Sequence, residues 1–302
     1  MDGSNFNQLR VFHTIVQEGS ISGAARTLEM ASPSVSQALK TLESKLGLPL
    51  FTRTTRRIEL TEAGQLLYQR TSSSLNDLIV AFESVSELSQ KPRGKVRLTA
   101  PKFVFQSFLQ PIYTEFCQRF PEIELEISLF DGTVDILEQG FDIGIRFGDR
   151  ISEGMVAKPL MPAKKDVLFA SKDYLQRYGT PTSLKELEHH KLIYYRFITS
   201  NQLLPLTLKE QGEEITIDIK PALIANDTDV VKDAAKQGLG IGRLLSTMVE
   251  DELAIGELIP VLEEYWLDIA GLYIYFHQNA QKAKRVRALI DFLIEKSVTD
   301  QS

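Results

Sequence analysis

The chain has 302 residues, about twice the length of an average domain, which predicts two domains. Hydrophobic residues make up 43% of the sequence and charged residues 25%, ordinary values that exclude a largely disordered or fibrous chain. No apolar stretch reaches the ~18 residues needed to span a bilayer, and the N-terminus lacks the basic-then-apolar pattern of a signal peptide. We therefore expect a soluble, cytoplasmic protein with no membrane segment.

The net charge of −6 is unevenly distributed along the chain. Residues 1–60 carry seven Lys and Arg against five Asp and Glu, whereas residues 95–302 carry a net −7. Only the beginning of the chain can therefore face nucleic-acid phosphates without strong repulsion. The single cysteine, Cys117, excludes an intramolecular disulfide and a multi-cysteine zinc site. We expect neither a metal nor a cofactor.

Three short helical patterns open the sequence. The first has one apolar stripe at three- and four-residue steps, formed by Phe6, Leu9, Phe12 and Val16. The second, residues 22–28, is rich in small residues, which suits a close crossing of two helices. The third begins at Ser32, a suitable N-cap, and stops before Gly47. Two short helices, a tight turn and a capped third helix predict a helix-turn-helix.

The outer face of the third helix is polar and carries one cation: Ser36, Gln37, Lys40, Thr41 and Ser44. On an isolated helix such a face is usually just solvated. In a helix-turn-helix, however, this helix lies in the major groove, where Gln and Ser side chains reach base edges. The context therefore favours a DNA-reading face.

The next segment, residues 50–60, alternates Thr and Ile with Arg53, Arg56 and Arg57 and predicts a small hairpin, or wing. Three arginines so close together suit phosphates or a narrow minor groove, although a solubilising basic loop has the same composition. Thr61 then caps a long helix from Glu62 to about Leu88.

The apolar positions of this long helix step 3-4-3 over about two heptads, at Leu75, Leu78, Phe82 and Val85. Such a stripe must be buried, and the helix of a second copy would bury it. Packing on its own chain is the alternative. A two-fold dimer would also place two reading helices on successive grooves, as palindromic sites require.

After a linker rich in Pro, Gly and charge, strands and helices alternate to the end of the chain. The predicted strands are 96–100, 123–130, 142–147, 167–170, 192–195, 239–242 and 272–276, and the predicted helices are 105–120, 134–139, 228–237 and 283–295. This order predicts an α/β fold with a mainly parallel sheet covered by helices. Its length favours two lobes with a ligand cleft at the carboxyl ends of the strands.

At this point the chain resembles a LysR-type transcriptional regulator over nearly all of its length. The motifs that carry the resemblance are Leu9-Arg10-Val11-Phe12 and the segments 19–25, 32–43, 48–53, 60–64 and 141–148, in matching order and spacing. The resemblance implies a winged helix-turn-helix (1–60), a dimerising linker helix (61–90), a hinge (91–95) and an effector-binding domain (96–302). That domain would resemble type 2 periplasmic binding proteins, with lobe I at about 96–162 and 268–302 and lobe II at about 163–267.

The resemblance also implies a homodimer or homotetramer that binds double-stranded promoter DNA, responds to a small-molecule effector and contacts RNA polymerase. Base-reading positions would be Ser32, Pro33, Ser36 and Gln37, with Arg53 in the minor groove and Lys40, Arg56 and Arg57 on phosphates. The effector cleft would be lined by Thr99, Pro101, Lys102, Phe103, Phe130, Asp131, Phe147, Arg196 and the loop Asn226, Asp227 and Thr228.

In that cleft, Lys102 and Arg196 are expected to bind a carboxylate, and Phe103 and Phe147 to stack on a ring. The predicted effector is thus an organic acid, with an aromatic body as one option. A solvated loop is the alternative for Lys102, and a structural pair with a nearby Asp is expected for Arg146. Many relatives carry Pro where Arg243 and Leu244 stand, which puts any borrowed ligand specificity in doubt.

An enzyme and a solute-binding receptor are the rival classes. The sequence has no nucleophile elbow, P-loop or His-Glu-x-x-His motif, and its four histidines do not form an evident site. Cys117 is expected to be buried and inert in its helix. The back two-thirds of the chain would suit a solute receptor, but the basic front module argues against that reading.

Overall fold

The computed structural model describes residues 4–53, 58–86, 91–151 and 154–299. The first part of the chain is mainly helical. It consists of α1 (Ser4–Glu18), α2 (Ile21–Thr27), α3 (Ser32–Leu46), a hairpin of β1 (Phe51–Arg53) and β2 (Ile58–Leu60), and α4 (Glu62–Ser86). The hairpin is antiparallel and pairs Phe51 with Leu60, as the alternating pattern of residues 50–60 predicts.

Local capping explains where these helices begin and end. The Ser20 hydroxyl accepts a hydrogen bond from the Gly23 N–H at 3.0 Å and caps α2. Gly47, at φ 71°, ends α3 in the left-handed conformation. The prediction of Ser32 as N-cap is wrong: Ala31 holds the extended cap position with no side-chain bond, and Ser32 is already helical.

One apolar core joins α1, α2, α3, the hairpin and the start of α4. Its fully buried members include Phe12, Ile15, Val35 and Leu39, and Tyr68 of α4 completes it at 2% exposure. The predicted stripe of α1 therefore faces this core through Phe12.

Helix α4 is a rod of 25 residues, about 37 Å long. The Thr61 hydroxyl caps it by accepting from the Gly64 N–H at 3.0 Å. Of the predicted dimer stripe, Leu75 is buried within the single chain and Leu78 is 48% exposed. The side chains of Phe82 and Val85 lie outside the described residues.

A five-stranded sheet in the order β4-β3-β5-β15-β6 forms the first half of the effector region. The strands are β3 (Gly94–Ala100), β4 (Ile123–Leu129), β5 (Ile143–Phe147), β6 (Met155–Met161) and β15 (Leu272–His277). Strands β4 and β5 pair with β3 in parallel, whereas β15 is antiparallel to both β5 and β6. The C-terminal helix α10 (Lys284–Thr299) contributes to the core beside this sheet.

The second half is built around a central strand, β7 (Lys164–Ser171), which pairs antiparallel with three others. These are β12 (Gly242–Leu245), β13 (Leu258–Val261) and β14 (Leu267–Ile269). A parallel pair, β8 (Leu192–Tyr195) with β11 (Pro221–Ala225), and a hairpin of β9 (Leu206–Glu210) with β10 (Glu213–Ile217) complete it. The helices here are α7 (Lys172–Tyr178), α8 (Thr228–Lys236) and α9 (Glu250–Ala254).

The sheets are therefore mixed, and the prediction of a mainly parallel arrangement is wrong. Two features are the reason. Strand β15, from the end of the chain, lies between β5 and β6 and runs antiparallel to both, and β7 pairs antiparallel with β12, β13 and β14. Two lobes built on separate hydrophobic cores are nevertheless present, one on the five-stranded sheet and one on β7 with its neighbours.

Three predicted elements differ in detail. The helix expected over residues 105–120 is interrupted: α5 (Lys102–Val104) leads into a π-helical turn (Phe105–Leu109), and α6 (Tyr113–Arg119) follows. Pro111 lies at the break and has no N–H to continue the helix. Residues 134–139 form turns instead of a helix, and the strand expected at 239–242 begins only at residue 242.

Cys117 is exposed on α6, so the expectation of a buried thiol is wrong. The reason is its position on the outer face of a short helix whose Phe116 points into the core. Over the residues described, no helix is both long and apolar enough to cross a membrane.

Candidate nucleic-acid interface and effector cleft

Helix α3 presents a polar face to solvent because its apolar residues point inward. Val35, Leu39 and Leu42 are buried. Of the residues predicted to contact DNA, Ser32, Pro33, Gln37 and Lys40 are exposed and Ser36 is half-buried. The structure thus brings these five side chains to one accessible side of α3.

The wing hairpin places Arg53 at the last position of β1, opposite Ile58. The side chain of Arg53, and the whole of Arg56 and Arg57, lie outside the described residues. The wing contribution to DNA binding stays a prediction.

A cavity of about 290 Å³ lies between the two lobes of the effector region. Five of the residues predicted to line the effector cleft line it: Pro101, Phe103, Asp131, Phe147 and Thr228. The other predicted residues, Thr99, Lys102, Phe130, Arg196, Asn226 and Asp227, are not among its lining residues. Sequence reasoning missed much of the wall, including Arg150, Tyr195, Phe197, Met248 and Tyr275.

Aromatic rings form opposite walls of this cavity. On the first lobe, the rings of Phe103 and Phe147 stack with centroids 5.7 Å apart and planes 18° from parallel. On the second lobe, Tyr195 and Phe197 meet edge to face at 5.7 Å. The guanidinium of Arg150 lies over the Phe197 ring, 4.7 Å from the ring centroid. Arg150 itself is exposed to solvent. A flat apolar body of ring size fits between such walls.

Lys102 joins the two lobes instead of pointing into the cavity. Its ammonium lies 2.9 Å from Asp227 Oδ2 and 2.8 Å from Asp229 Oδ2, at the start of α8. Hydrogen bonds to these two carboxylates raise the pKa of Lys102, and its hydrogen bond lowers the pKa of Asp227. Because its own chain supplies two acceptors, Lys102 is an inter-lobe clasp in this structure.

The guanidinium of Arg146 is a buried cation that is held by neutral acceptors. At 4% exposure it donates to the carbonyl oxygens of Ile145 at 2.7 Å and Phe130 at 3.1 Å. It also donates to Gly132 O at 3.3 Å, to Thr99 O at 3.4 Å and to Thr99 Oγ1 at 3.3 Å. Burial lowers its pKa. The expected pair with an Asp is wrong, since backbone carbonyls take that role.

Arg243 forms a buried ion pair with Asp166 at the cavity wall. Both residues are 7% exposed, and Arg243 Nε donates to Asp166 Oδ2 at 2.7 Å. Arg243 Nη1 also donates to Pro205 O. Burial raises the pKa of Asp166, while the charge and hydrogen bond of Arg243 oppose that rise. The residue that departs from the family pattern is therefore a structural part of the cleft wall.

Arg196 lies on the loop after β8, where its Nη1 donates to Asn201 O at 2.7 Å. Neither Arg196 nor Asn201 lines the cavity. Across residues 4–53, 58–86, 91–151 and 154–299, no group of three or more His, Cys, Asp or Glu side chains is placed to hold a metal ion.

Comparison with known proteins identifies the family of this architecture. Residues 6–65 match the family model described as "Bacterial regulatory helix-turn-helix protein, lysR family", and residues 89–297 match "LysR substrate binding domain". The chain belongs to the LysR family of transcriptional regulators. It is a sequence-specific DNA-binding regulator that responds to a small-molecule effector, so the alternative of a solute receptor without a DNA role is not favoured.

Relatives and solved structures agree over the whole length. The chain is 32% identical over 295 residues to the regulator CrgA of Neisseria meningitidis, covering 97% of each chain. The solved structure of CrgA matches with a TM-score of 0.61 at 29% identity, over 96% of this chain and 98% of that one. Full-length AphB of Vibrio cholerae, a virulence activator, matches with a TM-score of 0.62 at 26% identity, over 96% and 98%.

Proposed function

We propose that α3 reads promoter DNA in the major groove, with Ser32, Pro33, Ser36 and Gln37 at base edges and Lys40 on a phosphate. The observation that carries this proposal is the division of α3 into a buried apolar face and an exposed polar face. Arg53 would enter the minor groove, and Arg56 and Arg57 would contact phosphates. The basic balance of residues 1–60 supports this placement.

Fluorescence anisotropy with DNA from upstream of the protein's own coding sequence, against random DNA, tests the proposal. Gln37→Ala should cost about 1–3 kcal/mol on the cognate sequence and relax specificity. Lys40→Ala should weaken binding to both DNA sequences equally. It should also reduce by about 1 the slope of log affinity against log salt concentration. Lys209→Ala, on the exposed β9–β10 hairpin, is the matched control. Equal losses on cognate and random DNA for Gln37→Ala would contradict base reading.

The proposed assembly is a homodimer, or a pair of dimers, joined along α4 by Leu78 together with Phe82 and Val85. Exposure of Leu78 in the single chain supports a partner helix, whereas Leu75 already packs on its own chain. The proposed units are residues 1–60, 61–90, 91–95 and 96–302, acting in the cytoplasm with RNA polymerase as a further partner. Light scattering at micromolar concentration should give at least a dimer.

We further propose that the cleft takes an aromatic organic acid. The ring lies between the Phe103–Phe147 and Tyr195–Phe197 walls, and the carboxylate meets Arg150 at the mouth. Among the residues described, the guanidinium of Arg150 makes no hydrogen bond, whereas those of Arg146 and Arg243 donate to the chain's own acceptors. A planar guanidinium with free donors suits a carboxylate. The clasp at Lys102 and Asp227 holds the two lobes together beside the cleft.

Thermal unfolding with benzoate and with the equal-sized neutral benzamide tests this assignment. Benzoate should raise the melting temperature with concentration, as any ligand of the folded state does, and benzamide should act less. Arg150→Gln should remove the difference between them. Arg177→Gln, which alters an exposed arginine over Tyr178, should keep it. Equal stabilisation by both compounds would refute the proposed binding of a carboxylate by Arg150. Stabilisation by neither compound would refute the proposed binding of an aromatic ring between the two walls.

A further inference from the structure

One continuous stretch of chain, residues 131–141, runs from the cavity to the DNA-binding part of the molecule; we call it the coupling segment. Its first residues, Asp131, Gly132 and Val134, line the cavity. Its last residues lie against α1 and α4. It contains no regular helix or strand, so its conformation depends on the contacts at each end.

The cavity end of the coupling segment is bonded to both lobes. Asp131 Oδ1 accepts from the Lys102 N–H at 2.8 Å, on the first lobe. The Thr133 N–H donates to Thr199 Oγ1 at 2.9 Å, on the loop that follows β8 in the second lobe. A change in the distance between the lobes, such as ligand entry would cause, therefore acts directly on this end.

The middle of the coupling segment is packed tightly enough to transmit such a change. Val134, Ile136 and Phe141 form a buried cluster with Tyr275, which also lines the cavity. Asp135 Oδ1 accepts from the Leu137 and Glu138 N–H groups, both at 3.0 Å, and fixes the turn. Close-packed interiors pass a displacement on instead of absorbing it.

The far end of the coupling segment is bonded to the DNA-binding part. The Tyr68 hydroxyl of α4 donates to Glu138 O at 2.6 Å, and Gln65 Nε2 lies 3.4 Å from Glu138 Oε1. Tyr68 is also a core residue of the helical part, since its ring lies 4.6 Å from that of His13 on α1. A Cβ at Gly140 would come within 3.2 Å of Gln17 Nε2, also on α1.

We propose that the coupling segment is the element through which cleft occupancy sets the position of the helix-turn-helix, with Tyr68 as the positioning residue that receives the signal. This inference rests on the proposed function, because it assigns the regulation of the same cleft. By linkage, DNA binding must act back on the coupling segment with the same coupling free energy. No effector is needed to test that reverse direction.

Hydrogen exchange of the full-length protein, with and without saturating cognate DNA, tests the reverse direction. DNA should slow amide exchange in peptides covering residues 131–141 at least twofold. Tyr68→Phe keeps the core ring and removes only the hydroxyl, so DNA binding should persist while this slowing is lost. Tyr174→Phe is the matched control, since its buried hydroxyl contacts His190 in the second lobe. No slowing in the wild type, or full slowing in Tyr68→Phe, would overturn the proposal.

A double-mutant cycle provides a second test, in which the bond between Thr199 and the cavity end of the coupling segment is removed. Thr199→Ala removes the bond to Thr133 from an exposed position, so folding should be preserved. It should change the dissociation constant for cognate DNA at least twofold, and this effect should disappear in the Tyr68→Phe background. Thr207→Ala on the β9–β10 hairpin should have no effect in either background. Equal effects of Thr199→Ala in both backgrounds would refute coupling through Tyr68.

The two proposals fail in distinguishable ways. If anisotropy detects no sequence-preferring complex in the wild type, the DNA-binding proposal fails. If the complex forms but either the exchange of residues 131–141 or the double-mutant cycle gives one of the contrary results stated above, only the coupling segment is refuted.

Discussion

Replacing Arg243 with Met should be the most damaging single change in the cleft wall. The substitution keeps most of the apolar stem and removes the charge that faces Asp166. Both side chains are about nine-tenths buried, so the Asp166 carboxylate would be left as an uncompensated buried charge. Breaking a buried pair from one side costs about 3–5 kcal/mol.

For a domain of this size, that loss corresponds to a fall of roughly 6–20 °C in melting temperature. The loss should also depend on pH. Burial already raises the pKa of Asp166, and removing Arg243 raises it further. A raised pKa in the folded state means that stability is greatest below the ordinary Asp pKa and is lost as pH rises through the folded value. The Arg243→Met variant should therefore recover part of its stability in acid.

Thermal unfolding followed by circular dichroism measures this effect, with two further variants as references. Combining Arg243→Met with Asp166→Asn removes the orphaned charge and should recover much of the loss. Arg287→Met is the matched control, because Arg287 and Asp291 form a half-exposed pair one helical turn apart, worth only about 0.3–0.5 kcal/mol. A double variant as unstable as Arg243→Met would show that the cost is lost packing and not the orphaned carboxylate.

Two further predictions concern the helical part. Burial lowers the pKa of His13 to about 4 from 6.5, so wild-type stability should fall as pH falls from 6.5 towards 4. His13 Nε2 lies 2.7 Å from Thr71 Oγ1, and the amide of a Gln at this position can still hydrogen-bond to that hydroxyl. His13→Gln should therefore lose this pH dependence in unfolding experiments; an unchanged profile would contradict the buried neutral imidazole. A Cβ on Gly64 would lie 2.1 Å from Leu50 O, so Gly64→Ala should destabilise the domain by about 1–3 kcal/mol in urea unfolding. A neutral effect would show that the backbone relaxes there.

The helical part could be predicted from the sequence because its signals are local. The apolar spacing around Phe12, the stop at Gly47 and the cap at Thr61 each act within a few residues. The exception is Ser32, where residue type suggests a cap but the chain begins its helix one residue earlier. A capping bond depends on backbone geometry that residue preference alone does not determine.

The cleft could be predicted only in part, because its wall is assembled from distant segments. Phe103 follows β3 and Phe147 ends β5, and these two strands are neighbours in one sheet. The order of the strands therefore indicates that the two rings lie close together. Arg150 and Phe197 meet across the lobes, and nothing in the residues around either one indicates the other. The pairing of Lys102 could not be predicted either, because its sequence neighbourhood does not show the two carboxylates that α8 brings to it.

The central place of β15 has a consequence for biosynthesis. Contacts within residues 4–86 join segments that are close in sequence, so this part can fold soon after it leaves the ribosome. The five-stranded sheet cannot close until β15, residues 272–277, has been made and inserted between β5 and β6. Each nascent chain can therefore fold its helix-turn-helix well before the cleft between the lobes is complete. A polypeptide that ends before β15 would keep the helix-turn-helix and lack both the central strand of the sheet and the Tyr275 wall of the cavity.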